Sequence, residues 1–480
     1  MLTLNPASSV PLITQIIEGV RELVDTHVLK PGTKLPSIRA FAATHSVSMF
    51  TVVEAYDRLV AQGVLVARAH QGFFVPRLDE QGTEVASSHR LPSAAARSPE
   101  AADFDEAWFL QRIFEHRGLP IKPGCGWLPS EWLFEEAIRR GFRKVAAEGL
   151  SLSGYGDPMG HLPLRRHIAQ HMALTQQLPV LPGQVLLSHG SSQALDWAVR
   201  TLVKPGQAVL IDDPCYPNLR SILQFQGARV MGVPRTPTGY DLGTLDELVS
   251  RHRPVAFFTQ PRMQSPTGSR ASLAQLHKLL TLAGRHDLIV VENDLYADLD
   301  VEQLPSLASL DELQRVIHIG SYSKTISPNL RVGFLMANPD MIARFAHLKM
   351  LSGLTSSEVS EKLVYHIVTD GRWRKHLKGL RDRLKAAHER TLVRLGQLGF
   401  EVFCEPDEGL FLWARHPEMP NSAPVAREAA AHGIMLAPGQ LFLVDSMPTD
   451  WMRFNVAFSE DEAIWHFLAR QLDASRPDTA

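Results

Sequence analysis

The 480-residue sequence predicts an α/β protein in two parts, a small helical unit at the N-terminus and a large unit built on a mostly parallel sheet. Three observations carry this. Apolar residues recur at helical spacing through the first 77 residues and give way to a short alternating stretch. A segment rich in Ala, Ser, Glu and Pro, with no sustained apolar period, follows at about 78–106. Beyond it, short Val/Ile/Leu runs ("GQVLLSHG", "AVLIDDP", "ARVMGVP", "PVAFFTQP", "DLIVVEND", "RVIHIGSYS") alternate with helical stretches, and each ends in a polar or Gly/Pro turn. Strands buried on both faces, with helices crossing over, read this way.

Composition narrows the class. With 45% hydrophobic residues the chain can bury a large core, and 49 basic against 51 acidic residues argue against a disordered or polyanion-coating protein. Three cysteines (Cys125, Cys215, Cys404) form no CxxC pair and cannot all pair internally, which favours a reducing cytoplasm. No apolar run nears the ~18 residues a bilayer span needs, and "MLTLNPASSV" lacks the basic region and apolar core of a signal peptide.

In the first unit, Leu12, Ile16, Val20, Leu23 and Val24 make an amphipathic helix that "KPGTKLPS" breaks. Ser37 caps a second helix through Ile38, Phe41 and Ala42. After the turn "THSVS", a third helix starts at Ser48, faces Val52, Ala55, Tyr56 and Leu59 inward, and closes at Gly63. "VLVARAHQGFFVP" then alternates around Gly72 as a small hairpin does. Three helices and a hairpin in this order make a winged helix-turn-helix.

The string "PGTKLPSIRAFAATHSVSMFTVVEAYDRLVAQGVL…GFFV" resembles the GntR family of bacterial DNA-binding domains over residues 10–77. The resemblance implies that Arg39, the start of the third helix (Ser48, Thr51) and the wing around His70 and Gly72 face double-stranded DNA. A helix N-terminus offers free N–H groups to phosphates and short side chains to base edges. Two positions depart from the family: Met49 stands where a basic residue is usual, and His70 where a glycine is frequent. Seven Lys/Arg against five Asp/Glu give residues 1–77 a net +2, so DNA affinity would rest on dimerisation and few phosphate contacts. The expected organisation is therefore a DNA-binding domain at 1–77, a flexible linker at 78–106, and a large effector and dimerisation domain at 107–480. A coil of about 28 residues spans roughly 30 Å.

Ligands of open parallel sheets sit at the carboxyl ends of the strands. There, "SHGSSQALD" opens a helix on Gly190, Ser191 and Ser192, either an ordinary cap or a phosphate cradle. Tyr216 in "DDPCYP" is either a ring stacked on a flat ligand or a rim residue. "VENDLYADL" supplies Asn293, Asp294 and Tyr296, and "SYSKTISPNLRVGF" supplies Ser321, Ser323, Lys324 and Arg331. An amine in a pocket can form a Schiff base, and an arginine can hold a phosphate through paired hydrogen bonds. Cradle, ring, polar partners and amine together describe pyridoxal 5′-phosphate.

Residues about 120–470 resemble fold-type I aminotransferases, with "SGYGDPMGHLPLRRHIA", "SHGSSQALD", "DDPCYP", "QSPTG", "VENDLYADL", "SYSKTISPNLRVGF" and "MRFNVAFS" in family order. Joined to the GntR-type domain, the chain resembles the MocR group of GntR regulators. That resemblance implies a mostly parallel sheet followed by a smaller C-terminal α+β subdomain. It implies Lys324 as the Schiff-base lysine and Ser191, Ser192, Ser321, Ser323 and Arg331 around the phosphate. Tyr216 would lie over the ring, Tyr296 at its phenolic oxygen, Tyr155 at the phosphate of the partner subunit in a homodimer, and Arg453 at the carboxylate of an amino-acid effector. No metal is implied.

Two positions depart from the aminotransferase pattern. Ser265 replaces the asparagine that meets the phenolic oxygen. Asn293 takes the place of the acid that keeps the pyridine nitrogen protonated, with Asp294 next to it, and the sequence leaves open which of the two meets the ring. With Asn293 facing the ring the cofactor is a poorer electron sink, and with Asp294 there it is not; both departures point toward a cofactor site that need not turn over well. Three readings follow: a transcriptional regulator that senses an amino acid or amine as an external aldimine, an active aminotransferase with an appended DNA-binding domain, and an inert dimerisation scaffold. The complete set of lysine, arginines and cradle favours the first, with residual transaminase activity compatible with it.

Overall fold

The computed structural model describes residues 4–5, 8, 10–26, 28–68, 71–76, 109, 112–114, 119–148, 154–406 and 408–475. The expected linker at 78–106 lies outside the described residues. The chain divides into two compact units, Met1–Glu100 and Ala101–Ala480.

The first unit places α1 (Leu12–Asp25), α2 (Ile38–His45) and α3 (Met49–Ala61) ahead of a hairpin of β1 (Val66–Arg68) and β2 (Gly72–Phe74). Ser37 caps α2 by accepting from the Ala40 N–H at 3.2 Å, and Ser48 caps α3 by accepting from the Thr51 N–H at 3.0 Å. Val52, Ala55, Tyr56 and Leu59 are fully buried against Ile16, Val20 and Phe41, so the 3.6-residue period decides which face of α3 enters the core. The Tyr56 ring meets Phe41 and Phe73 edge-on and its hydroxyl donates to the Pro36 carbonyl at 3.2 Å, which ties α2, α3 and the hairpin together.

The large unit is built on eight strands: β3 (Val185–Ser188), β4 (Ala208–Asp213), β5 (Arg229–Thr236), β6 (Gly239–Tyr240), β7 (Ala256–Thr259), β8 (Ile289–Asn293), β9 (Val316–Ser321) and β10 (Gly333–Met336). They lie in the order β3-β10-β9-β8-β7-β4-β5-β6. The pairs β5–β4, β4–β7, β7–β8 and β8–β9 are parallel. β10 runs antiparallel between β9 and β3, and the short β6 antiparallel to β5. Apolar layers cover both faces: Leu187, Val290 and Phe257 belong to one core, Leu186, Val291 and Ile319 to the other. Near-continuous apolar runs mark strands buried on both sides.

A second sheet, β11 (Glu401–Val402), β12 (Phe411–Arg415), β13 (Ala437–Pro438) and β14 (Trp451–Asn455), is antiparallel in the order β11-β12-β14-β13. With the helices Trp373–Gln397, Ser422–Ala431 and Glu462–Ser475 it forms the C-terminal subdomain around a third core that includes Trp413, Phe454 and Phe467.

Candidate functional site

The site collects at the carboxyl ends of β3, β8 and β9, against the C-terminal sheet. β3 ends at Ser188, and the helix Gly190–Leu202 begins two residues later without a side-chain cap from His189. The N–H groups at Ser191 and Ser192 thus open toward an anion. Arg331 has a left-handed backbone (φ 52°) and reaches back to this helix start, where Nη2 donates to the His189 carbonyl at 3.0 Å. Glycine is required twice here. A Cβ on Gly190 would meet Arg331 Nη2 at 2.7 Å, and one on Gly333 would lie 2.7 Å from the Gly190 carbonyl carbon. The Ser321 hydroxyl accepts from the Ser323 N–H at 3.2 Å, while the Ser323 hydroxyl is buried with no partner among the described residues.

Lys324 follows β9 and donates through Nζ to the Gly126 carbonyl. Burial lowers its amine to about 8, with Arg453 and, more weakly, Arg331 acting in the same direction. Arg453 projects from β14, almost fully buried. Its Nη2 donates to the Gly124 carbonyl at 2.6 Å and its Nη1 to the Ser265 hydroxyl at 3.2 Å. Its guanidinium carbon lies 4.4 Å from the Phe411 ring centre and 4.6 Å from that of Phe442. Burial lowers it to about 10, and it has no carboxylate partner among the described residues.

Alternation along β8 separates Asn293 from Asp294. Glu292, Asp294 and His318 gather on one face, with ligand atoms within 4.8 Å of each other. There Asp294 lies 3.0 Å from Arg262, which also holds Asp300. Burial pushes the Asp294 carboxyl up, and Arg262 opposes it. Asn293 pairs in register with Ile319 and shares the opposite face with Val291, the face covered by Ala194 and Leu195 of the phosphate-side helix. Its Oδ1 is buried without a partner among the described residues. The expectation that Asp294 belongs to the cofactor group thus meets a different geometry: its carboxylate lies in ion-pair distance of Arg262 on the other side of the strand, with Oδ1 buried and making no hydrogen bond among the described residues.

Tyr296 is buried, with its ring edge-on to Phe411, and burial raises its hydroxyl well above the usual range. Tyr216 sits ahead of the helix Pro217–Phe225, half-buried and close enough to Tyr296 and Arg453 to influence both. Tyr155 is 81% exposed, outside this group.

The segment Gly124–Cys125–Gly126 escaped the sequence reading, although its two carbonyls receive Arg453 and Lys324. Asn455 anchors it by donating from Nδ2 to the Cys125 carbonyl at 3.1 Å and the Trp127 carbonyl at 2.7 Å. A Cβ on Gly124 would lie 2.6 Å from the Ala437 nitrogen, so "PGCG" was the available signal. Burial pushes the Cys125 thiol up to about 11, so it stays neutral beside the two cations.

In the first unit, Arg39 is exposed on α2, and Gly72 has a positive φ of 102° at the start of β2. Ser48 and Thr51 stand in the first turn of α3 with their hydroxyls 2.7 Å apart. His70 lies outside the described residues.

Comparison with known proteins identifies both units. Residues 12–75 match the gntR family of bacterial regulatory proteins. Residues 129–470 match aminotransferase class I and II. The chain belongs to the class I and II aminotransferases, here joined to a gntR-type domain.

This combination also occurs in relatives. The family member is 28% identical over 448 residues to the probable rhizopine catabolism regulatory protein MocR of Rhizobium meliloti, covering 91% of this chain and 88% of that one. It is 30% identical over 363 residues to a 2-aminoadipate transaminase of Thermus thermophilus, covering 72% and 89%. Among solved structures, the α-aminoadipate aminotransferase LysN of Thermus thermophilus, complexed with N-(5′-phosphopyridoxyl)-L-leucine, superposes with a TM-score of 0.70 at 25% identity, covering 76% and 95%.

The cofactor of this aminotransferase-type domain is pyridoxal 5′-phosphate. The residues fit it. An uncapped helix start beside Arg331 suits a phosphate dianion, Lys324 supplies an amine lowered toward neutrality, and Asn293 and Ser323 hold buried polar atoms that await partners.

Proposed function

We propose that the chain is a DNA-binding transcriptional regulator whose aminotransferase-type domain senses an amino acid or amine. The observation that carries this reading is Arg453: a guanidinium buried against two phenylalanine rings, bonded among the described residues only to neutral acceptors and placed near enough to Lys324 to lower its pKa. A buried cation without an anion is costly unless a ligand supplies one.

Pyridoxal phosphate supplies an aldehyde there that a primary amine can capture. Ser191, Ser192, Ser321, Ser323 and Arg331 would hold its phosphate, Lys324 would supply the amine for its aldehyde, Tyr216 would cover its ring, and Tyr296 would meet its phenolic oxygen. Arg453 takes the carboxylate of the incoming ligand and fixes its orientation. Phe411 and Phe442 exclude water around that contact. The protein acts as a cytoplasmic homodimer, and the exposed Tyr155 of each subunit reaches the phosphate of the other's site. No helix among the described residues is long and apolar enough to cross a membrane. Ligand capture alters DNA binding through a coupling of about 1–3 kcal/mol, the usual range for such switches.

A second reading, catalysis of transamination, draws on the 30% identity to a transaminase. Asn293 and Ser265 weigh against it, because a neutral amide at the ring nitrogen stabilises carbanionic charge less than a carboxylate does. The deciding experiment is the visible spectrum of the purified protein and of Lys324→Ala during titration with amino acids and amines, with DNA binding followed in parallel. A shifted band that persists without keto-acid release, together with changed DNA affinity, supports the sensor. Bleaching with keto-acid release supports the enzyme.

A further inference from the structure

Three large apolar side chains stand exposed at the start of α3: Met49 at 54%, Phe50 at 76% and Val53 at 37%. Phe50 and Val53 lie on the side of the helix away from Val52, Ala55, Tyr56 and Leu59, which fill the core, and Met49 stands at the edge of that core face, in the first turn. The hydroxyls beside them are already engaged. Ser48 Oγ accepts from the Thr51 N–H and shares a hydrogen bond with Thr51 Oγ1. Those two side chains therefore serve the helix start, and little polar chemistry is left in the first turn to read base edges.

In a helix-turn-helix domain the first turn of the second helix of the motif enters the major groove. The rest of α3 resists deeper entry. Glu54 is paired with Arg58 at 2.8 Å, and Asp57 is exposed one turn further on, so the acidic half of the helix avoids phosphates. Cations flank the tip. Arg39 is exposed on α2, and Lys34 and Arg68 lie 5.8 Å and 4.6 Å from the Phe74 ring centre on the wing. The surface is therefore an apolar point set among basic residues, complementary to a groove whose walls are phosphate and whose one apolar marker is the thymine methyl group.

We propose that Met49 and Phe50, supported by Val53, read thymine 5-methyl groups in the major groove. The operator is then set by the positions of its thymines rather than by arginine contacts to guanine. This rests on the DNA-binding reading above.

The test uses the full-length protein with its cofactor. Operators are selected from random duplex DNA, and each dT in an enriched site is replaced singly by dU, which removes only the methyl group. Binding is measured by fluorescence anisotropy at fixed salt. At one or two thymines per half-site the loss of the methyl group weakens binding about fourfold, the equivalent of ~0.8 kcal/mol for one buried methyl-sized group. Phe50→Ala abolishes that sensitivity, whereas Phe50→Leu retains part of it. Phe50 is exposed, so neither variant endangers the fold, and circular dichroism checks this. Equal binding to dT and dU at every position, or full sensitivity in Phe50→Ala, overturns the proposal. So does a fall in oligomeric mass in Phe50→Ala, which assigns the patch to a contact between copies. If the wild type enriches no sequence, the DNA-binding reading itself fails.

Discussion

Replacing Arg453 by methionine separates recognition of a carboxylate from capture of an amine. The arginine fork has two established bonds, to the Gly124 carbonyl and the Ser265 hydroxyl, and its Nε is unpaired among the described residues. A carboxylate ligand would gain two charge-assisted hydrogen bonds, about 3–6 kcal/mol together, and would displace the two existing bonds, about 2–3 kcal/mol. The net gain is about 1–3 kcal/mol, or roughly 5- to 150-fold in affinity. Methionine suits the space between Phe411 and Phe442 and leaves no buried charge behind. The assay is a spectral titration of the cofactor band with an amino acid and with the amine obtained by removing its carboxylate. Arg453→Met should weaken the first by that factor and change the second less than about threefold. Unchanged affinity for the amino acid would refute the reasoning. An equal loss for both ligands would do so as well, because it would mean that Arg453 shapes the pocket without binding a carboxylate.

Three further outcomes are expected. Lys324 has its pKa lowered to about 8, so its reactive neutral form accumulates as pH rises and is nearly complete about one unit above that value. The rate at which apo-protein acquires the visible cofactor band should rise up to about pH 9 and then level off, whereas a lysine at the ordinary ~10.4 would still gain several-fold between pH 9 and about pH 10. Asn293→Asp places a carboxylate on the face shared with Val291 and Ile319 and should accelerate keto-acid release about tenfold or more, measured in a single half-reaction; no acceleration would remove Asn293 from the ring nitrogen. Arg262→Leu strips Asp294 of its buried partner, leaves Asp300 with Arg270, and should lower stability by about 3–5 kcal/mol in urea unfolding of the cofactor-loaded protein; a loss below about 1 kcal/mol would show that the Arg262–Asp294 pair is dispensable.

Much of this architecture was readable because it depends on local pattern. The inner face of α3 follows from a 3.6-residue period, and Ser37 and Ser48 cap helices as their positions in the chain indicated. The parallel strands follow from apolar runs closed by turns. β10 was harder to see, because "RVGF" belongs to a motif whose reading centred on Arg331 and the strand spans only Gly333–Met336. Asp294 and Asn293 could not be separated by spacing, since the direction of each depends on how far β8 stays extended. The Asp294 N–H bonded to the Ile319 carbonyl keeps the extension going, and Arg262, thirty-two positions away in the chain, accepts the acid. The loop 124–126 has no side-chain signature at all. It acts through two backbone carbonyls, and only the glycines needed for close approach mark it.

The departures in the large unit are not scattered. The groups that hold a flat phosphorylated ring and an incoming acid are present: the uncapped helix start, Arg331, Lys324 and Arg453. The two positions that depart from the aminotransferase pattern, Asn293 and Ser265, are those the proposed reading assigns to adjusting the ring's charge, and the Ser265 hydroxyl accepts a hydrogen bond from Arg453. Binding and electronic activation thus draw on different residues, and substitution has fallen on the second set alone. Recognition requires the carboxylate clamp and the amine, and it tolerates a poor electron sink; turnover requires all three. On the reading proposed above, a site altered in this way would retain its ligand longer than it transforms it, which is the property a DNA-binding partner domain needs from a sensor.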